Sequence, residues 1–122
     1  MSVVEERLGE LGLTLPQVAA PVAAYVPALR QGDLVYTSGQ LPMVGGTLAA
    51  TGKVGVGDGL VAPERAKELA ATCALNAMAA VKSVLGDLDQ VTRVVKVVGF
   101  VASTPEFTGQ PGVVNGASEL LG

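Results

Sequence analysis

Between Pro63 and Leu85, apolar residues recur with helical period, and a β-branched run from Val91 to Ala102 follows within a few residues. Two such neighbouring segments lead to the expectation of a long helix laid against a sheet. Ala66, Leu69, Ala70, Cys73, Ala77, Ala80, Val81 and Val84 make one apolar stripe. Its side chains are small, so the helix can approach its neighbour closely. Pro63 suits the first helical position and Glu64 the electropositive first turn. Lys82 lies in the last turn, and Gly86 supplies the stop. Val91–Ala102 reads as a strand covered on both faces over part of its length.

Upstream, the punctuation predicts shorter elements. Ser2 and Glu5 have capping-box spacing, followed by Val4, Leu8 and Leu11, so a helix over about residues 3–11 is expected, stopped near Gly9 or Gly12. Prolines then keep the chain extended through residues 17–27. Val22–Leu29 is read as the first strand, Gln31-Gly32-Asp33 as a turn and Leu34–Ser38 as the second strand. Gly45-Gly46 between Met43-Val44 and Thr47-Leu48 predicts a hairpin. The glycine-rich Thr51–Gly59 is expected to be a flexible loop. Its Gly52-Lys53 lacks the Ser or Thr of a phosphate-binding loop, and its glycines miss the dinucleotide spacing. A last helix starts near Pro111 or Val113 and runs to Leu121.

This order predicts an α+β fold, a mainly antiparallel β-sheet with helices packed on one face, in one domain over residues 1–122. A β-α-β-β-α-β plan needs further strands after the last helix. The expectation is therefore that the sheet is incomplete as written and that the natural chain continues past Gly122.

Composition narrows the functions. The 122 residues carry a net charge of −3 with a sequence pI near 4.8, which gives no basic footprint for nucleic acid. There is no histidine, so His-based triads, two-His zinc sites and His-assisted RNA cleavage are excluded. No metal site and no cofactor are expected. Cys73, the one cysteine, cannot form an intramolecular disulfide and reads as a small buried hydrophobe. The acidic start lacks the pattern of a signal peptide. Residues 11–29 and 34–52 are uncharged but interrupted by Pro or Gly, so no spanning segment is expected there and a cytoplasmic location is.

The candidate binding residues are few. Ser38-Gly39 at a strand end can offer backbone N–H groups to a carboxylate, or it can be only a turn. Tyr25 can present a hydroxyl or cap the core. Asn115, placed near the start of the last helix, suits a helix cap.

Val35-Tyr36-Thr37-Ser38-Gly39-Gln40-Leu41-Pro42 resembles a segment typical of the YjgF/RidA (reactive intermediate deaminase, endoribonuclease L-PSP-like) family. The likeness runs over residues 20–122. It includes Ala20–Val26, where the family commonly has Gly-Pro-Tyr, then Thr51-Gly52-Lys53-Val54, Asn76, Gly86–Val91, Val94–Val101, Phe107 and Val114-Asn115. The N-terminal helix resembles the longer-chain branch with a chorismate-mutase-like fold.

The resemblance implies a homotrimer with ligand clefts between subunits. It also implies hydrolysis of reactive enamine or imine intermediates to 2-keto acids and ammonia. By the same likeness Tyr25, Ser38, Gly39, Phe100 and Asn115 line the cleft as substrate-binding residues. The family's carboxylate-gripping arginine and its water-positioning acid come in segments later than any matched here, so no catalytic residue is assigned. Arg30 and Arg93 do not match that arginine. The alternatives are a non-catalytic binder of small carboxylates and, third, an endoribonuclease.

Overall fold

A computed structural model describes residues 2–18 and 24–122 of the chain. The first helix, α1 (Val3–Glu10), is capped at its start by two separate devices. The Ser2 hydroxyl accepts from the Glu5 N–H at 3.1 Å. The Asp89 carboxylate, far along the chain, accepts from the N–H groups of Val3 (2.8 Å) and Val4 (3.1 Å). Donors that a helix N-terminus leaves orphaned are thus satisfied, and the carboxylate meets the positive end of the helix dipole. Glu5 also pairs with Lys82 at 2.6 Å. Asp89 lies in a short 3₁₀ turn, Leu88–Gln90, whose own cap is Asp87.

Two hairpins follow. Strands β1 (Ala28–Gln31) and β2 (Leu34–Thr37) pair antiparallel, with Leu29 opposite Tyr36 and Gln31 opposite Leu34. The two-residue turn has Gly32 at φ 61°, the left-handed position that a type II′ turn requires first. Strands β3 (Met43–Val44) and β4 (Thr47–Leu48) close on Gly45 (φ 61°) and Gly46 (φ 87°), as a type I′ turn requires. The two hairpins form separate sheets.

Helix α2 (Pro63–Leu85) packs on β1, β2 and β3 on one side and on α3 (Gln110–Leu121) on the other. Because it serves two neighbours, its buried residues are Ala66, Leu69, Ala74, Asn76, Ala79 and Ala80, a broader band than one stripe. By length and composition α2 could also cross a membrane, yet here it is packed as the core helix. At the α2–α3 crossing, a Cβ added to Gly116 would lie 2.0 Å from the Lys67 carbonyl oxygen. Only glycine fits there. The Lys67–Glu119 pair (3.0 Å) spans the rim of the same contact.

The architecture is α+β with short antiparallel strand pairs and open sheets, and three expectations need correction. The predicted strand Val91–Ala102 is not part of a ladder. Among the described residues, no backbone hydrogen bond joins residues 92–101 to another segment. Val95, Val98 and Phe100 are 73%, 61% and 95% exposed rather than covered. A helix satisfies its own backbone, whereas a strand needs a neighbour, and none is paired with this run among the described residues.

The first strand is also shorter than expected. It begins at Ala28; Ala24–Val26 are not in it, and Val22 and Ala23 lie outside the described residues. The Thr51–Gly59 loop is anchored rather than loose. Its Val54 is 6% exposed and bridges both Val61 and Ser103, donating to the Ala102 carbonyl at 2.8 Å. Val54, Val61, Ala66, Leu69 and Val113 make the core cluster, with Val101 and Phe107 packed against it.

Candidate functional site

The turn after β2 is fixed by backbone pairing on one side and a helix side chain on the other. Beyond the Ala28–Thr37 pair, Ser38 extends the hairpin. Its N–H (2.9 Å) and its hydroxyl (3.1 Å) both donate to the Pro27 carbonyl. The Ser38 backbone N–H, expected to be offered to a carboxylate, is therefore already engaged, and its hydroxyl with it. Gly39 and Gln40 come next, and among the described residues neither N–H has an acceptor. Among the described residues nothing lies within 4 Å of where a Gly39 Cβ would be, and Gly39 is exposed while Gln40 is half-buried. The Gln40 side chain reaches only the Ser38 carbonyl, at 3.5 Å.

The far end of the turn is held from α2. Asn76, 2% exposed, donates through Nδ2 to the carbonyls of Leu41 (3.0 Å) and Met43 (3.1 Å). The Met43 N–H also donates to the Leu41 carbonyl at 2.8 Å, so the chain reverses tightly around Pro42. Asn76 is the residue that the reading of the sequence passed over as a site element. Its signal was a lone amide among the alanines of an otherwise apolar helix band.

The other expected residues fall into two groups. Tyr25, exposed, stands two residues before Pro27 and so near the Ser38 end of the turn. Phe100 and Asn115 flank a second close contact: a Cβ on Gly99 would lie 2.6 Å from the Val114 side chain. Asn115 does not cap α3. The helix starts earlier, with Gly109 at the cap and a proline in its first turn, which leaves Asn115 exposed in the second turn. One group thus sits at the end of the β1–β2 hairpin and the other on the unpaired run and α3.

Arg30 is held away from the turn: its guanidinium donates to the Gly32 carbonyl at the opposite end of the hairpin. Among the described residues, no group of three or more His, Cys, Asp or Glu could hold a metal ion. Cys73 is half-buried in α2, and desolvation pushes its thiol pKa up, opposed in part by a backbone hydrogen bond. A raised pKa depletes the thiolate, as expected of a packing residue. A separate open groove of about 470 Å³ runs between residues 14–18 and the end of α2. It shares no residue with the turn, and its Lys82 is engaged by Glu5.

Residues 5–122 match the family described as "YjgF/chorismate_mutase-like, putative endoribonuclease". The chain belongs to this family. Its sequence is 42% identical to Protein TCP17 of Trypanosoma cruzi over 120 residues, covering 97% of this chain and 72% of that protein. The fold superposes on the crystal structure of Atu1372 from Agrobacterium tumefaciens, a protein described as of unknown function, with a TM-score of 0.83 and 50% identity. That match covers 97% of this chain and 69% of the other. A "putative endoribonuclease" from Shewanella oneidensis matches with a TM-score of 0.86 and 30% identity, over 97% of this chain and 76% of the other.

Proposed function

We propose that this YjgF-family chain binds a small 2-imino or 2-keto carboxylate on the Gly39–Gln40 turn and hydrolyses the imine. The observation that carries the reading is the pair of Gly39 and Gln40 N–H groups, which have no acceptor among the described residues, just past an exposed strand end. Backbone N–H groups held in place can donate to a carboxylate without reorganising, which favours a small anion over a bulky one. Water adds to the imine carbon, and the tetrahedral adduct loses ammonia to leave the 2-keto acid. An enamine enters the same path after tautomerising to the imine. No histidine is needed, because the imine carbon is already electrophilic and positioning is the main requirement.

The division of the expected residues into two groups supports a cleft between subunits. Tyr25 and Gly39 of one protomer would face Phe100 and Asn115 of a neighbour in a homotrimer. The hairpin also turns Leu29, Leu34 and Tyr36 outward on one face, each 45% exposed or more, and an apolar face of this kind suits burial between copies. The endoribonuclease description belongs to the Shewanella protein and the family. For this chain the net charge of −3 favours a small ligand over RNA.

The test supplies the chain with an enamine generated in place by a pyridoxal-phosphate dehydratase acting on serine or threonine. Ammonia release should exceed the spontaneous rate in proportion to added protein. Release at the spontaneous rate, with thermal stabilisation by 2-keto acids, would replace hydrolysis by binding alone.

A further inference from the structure

We propose that Asn76 is the positioning residue of this site: it sets the Ser38–Pro42 turn, and through it the affinity of the Gly39 and Gln40 N–H groups for a carboxylate. The inference rests on the binding reading above. Several observations support it.

Asn76 is 2% exposed, and a buried amide in an apolar helix band is retained only where its hydrogen bonds are made. Both of the Asn76 bonds go to carbonyls of one short segment, Leu41 and Met43, and to nothing in its own helix. That segment follows the two open donors by one residue. Its other end is fixed by Ser38 on Pro27. The turn is therefore clamped at two points, and Gly39-Gln40 is the only stretch between them. The Leu41 carbonyl accepts both from Asn76 and from the Met43 N–H, so loss of the amide also loosens the reversal around Pro42.

A two-point clamp fixes the direction of the N–H vectors. An anion held by two backbone donors loses affinity steeply when these diverge, because each hydrogen bond weakens sharply with angle. Asn76 touches no substrate in this scheme. Its effect passes through main chain.

The experiment follows amide NMR signals of the full chain during titration with pyruvate, for the wild type, Asn76→Ala and Asn76→Ser. Leu88→Ala, at a buried position remote from the turn, serves as the control for general destabilisation. Wild-type and Leu88→Ala protein should show pyruvate-dependent shifts at Gly39 and Gln40 with the same Kd. Both Asn76 variants should bind about tenfold to a hundredfold more weakly, with faster hydrogen exchange at Met43 while the α2 amides keep their protection. An Asn76 variant that folds and binds pyruvate like the wild type overturns the proposal.

The binding reading can fail separately. If no variant, wild type included, shifts Gly39 or Gln40, the carboxylate role falls for the site and for Asn76 together. Met43 exchange then still reports on the clamp: unchanged exchange in Asn76→Ala would remove that too.

Discussion

The α2–α3 crossing and the Val91–Phe100 run sit close together in sequence and could hardly differ more. At the crossing, backbone meets backbone, with the Gly116 position against the Lys67 carbonyl and Val113 buried in the core. Along the run, β-branched side chains stand in the open and the peptide groups have no described partner. Both regions are rich in apolar residues, the run more so than the helices. What separates them is how each satisfies its backbone. The helices make their hydrogen bonds internally and need only a surface to pack on. The run needs another strand on at least one edge, and Arg93 and Lys96 are the charges that guard such an edge against indiscriminate pairing.

The sharpest way to break this comparison is to add one methyl group at the crossing. In Gly116→Ala the new Cβ meets a main-chain oxygen at 2.0 Å, and a main chain cannot rotate away. The helices must separate along their contact. We expect a loss of about 3 kcal/mol or more in urea unfolding. A loss under about 1 kcal/mol would mean that the crossing is looser than described.

Truncations of equal chemistry on the two sides come next. Leu69→Ala removes a 9%-exposed side chain from the core cluster and should cost about 2–4 kcal/mol. Val95→Ala removes a side chain that is 73% exposed and should stay within about 0.5 kcal/mol. Should Val95→Ala prove as costly as Leu69→Ala, the run is covered in solution by something, and the assembled protein would be the species to study.

The same contrast explains what could be read in advance. Elements whose determinants are local were legible almost to the residue. Ser2 with Glu5, Pro63 with Gly86 and the Gly45-Gly46 pair set their boundaries from within a few positions. Determinants spread through space were not. Periodicity in Val91–Ala102 reports a preference for a pleated surface, not the existence of a partner, and the strand failed on that point. The Asp89 cap on α1 comes from the other end of the chain and leaves no trace in spacing. At the candidate site, the turn after β2 was legible because small residues at a strand end mark one. That the Ser38 hydroxyl is used internally, and that Asn76 holds the other end, depends on which helix face meets that turn.

A smaller change probes where the two regions touch. In Gly99→Ala the new methyl would stand 2.6 Å from Val114, but here the obstacle is a side chain that can change rotamer. The expected cost is about 1 kcal/mol, well below that of Gly116→Ala. Equal costs would show that the run is gripped by α3 as firmly as α2 is. In that case Phe100 and Asn115, on either side of this contact, are held rigidly relative to each other.

The smallest expected effect belongs to Cys73 and is confined to alkaline pH. Burial raises the thiol pKa above its ordinary value of 9.0. The folded protein therefore holds this proton more tightly than the unfolded chain does. Below pH 9 the thiol is protonated in both states and its contribution is fully present. Above pH 9 the unfolded chain ionises first, and stability is lost until the pH passes the folded-state pKa. Unfolding followed from pH 8 to 10.5 should show this decline in the wild type and less of it in Cys73→Ala, whose lower baseline reflects only lost packing. Parallel curves for the two proteins would place Cys73 in a solvated position. In that case the α2 surface around Cys73 is open in solution, and the helix is packed less completely between its two neighbours than its contacts with the hairpins and α3 indicate.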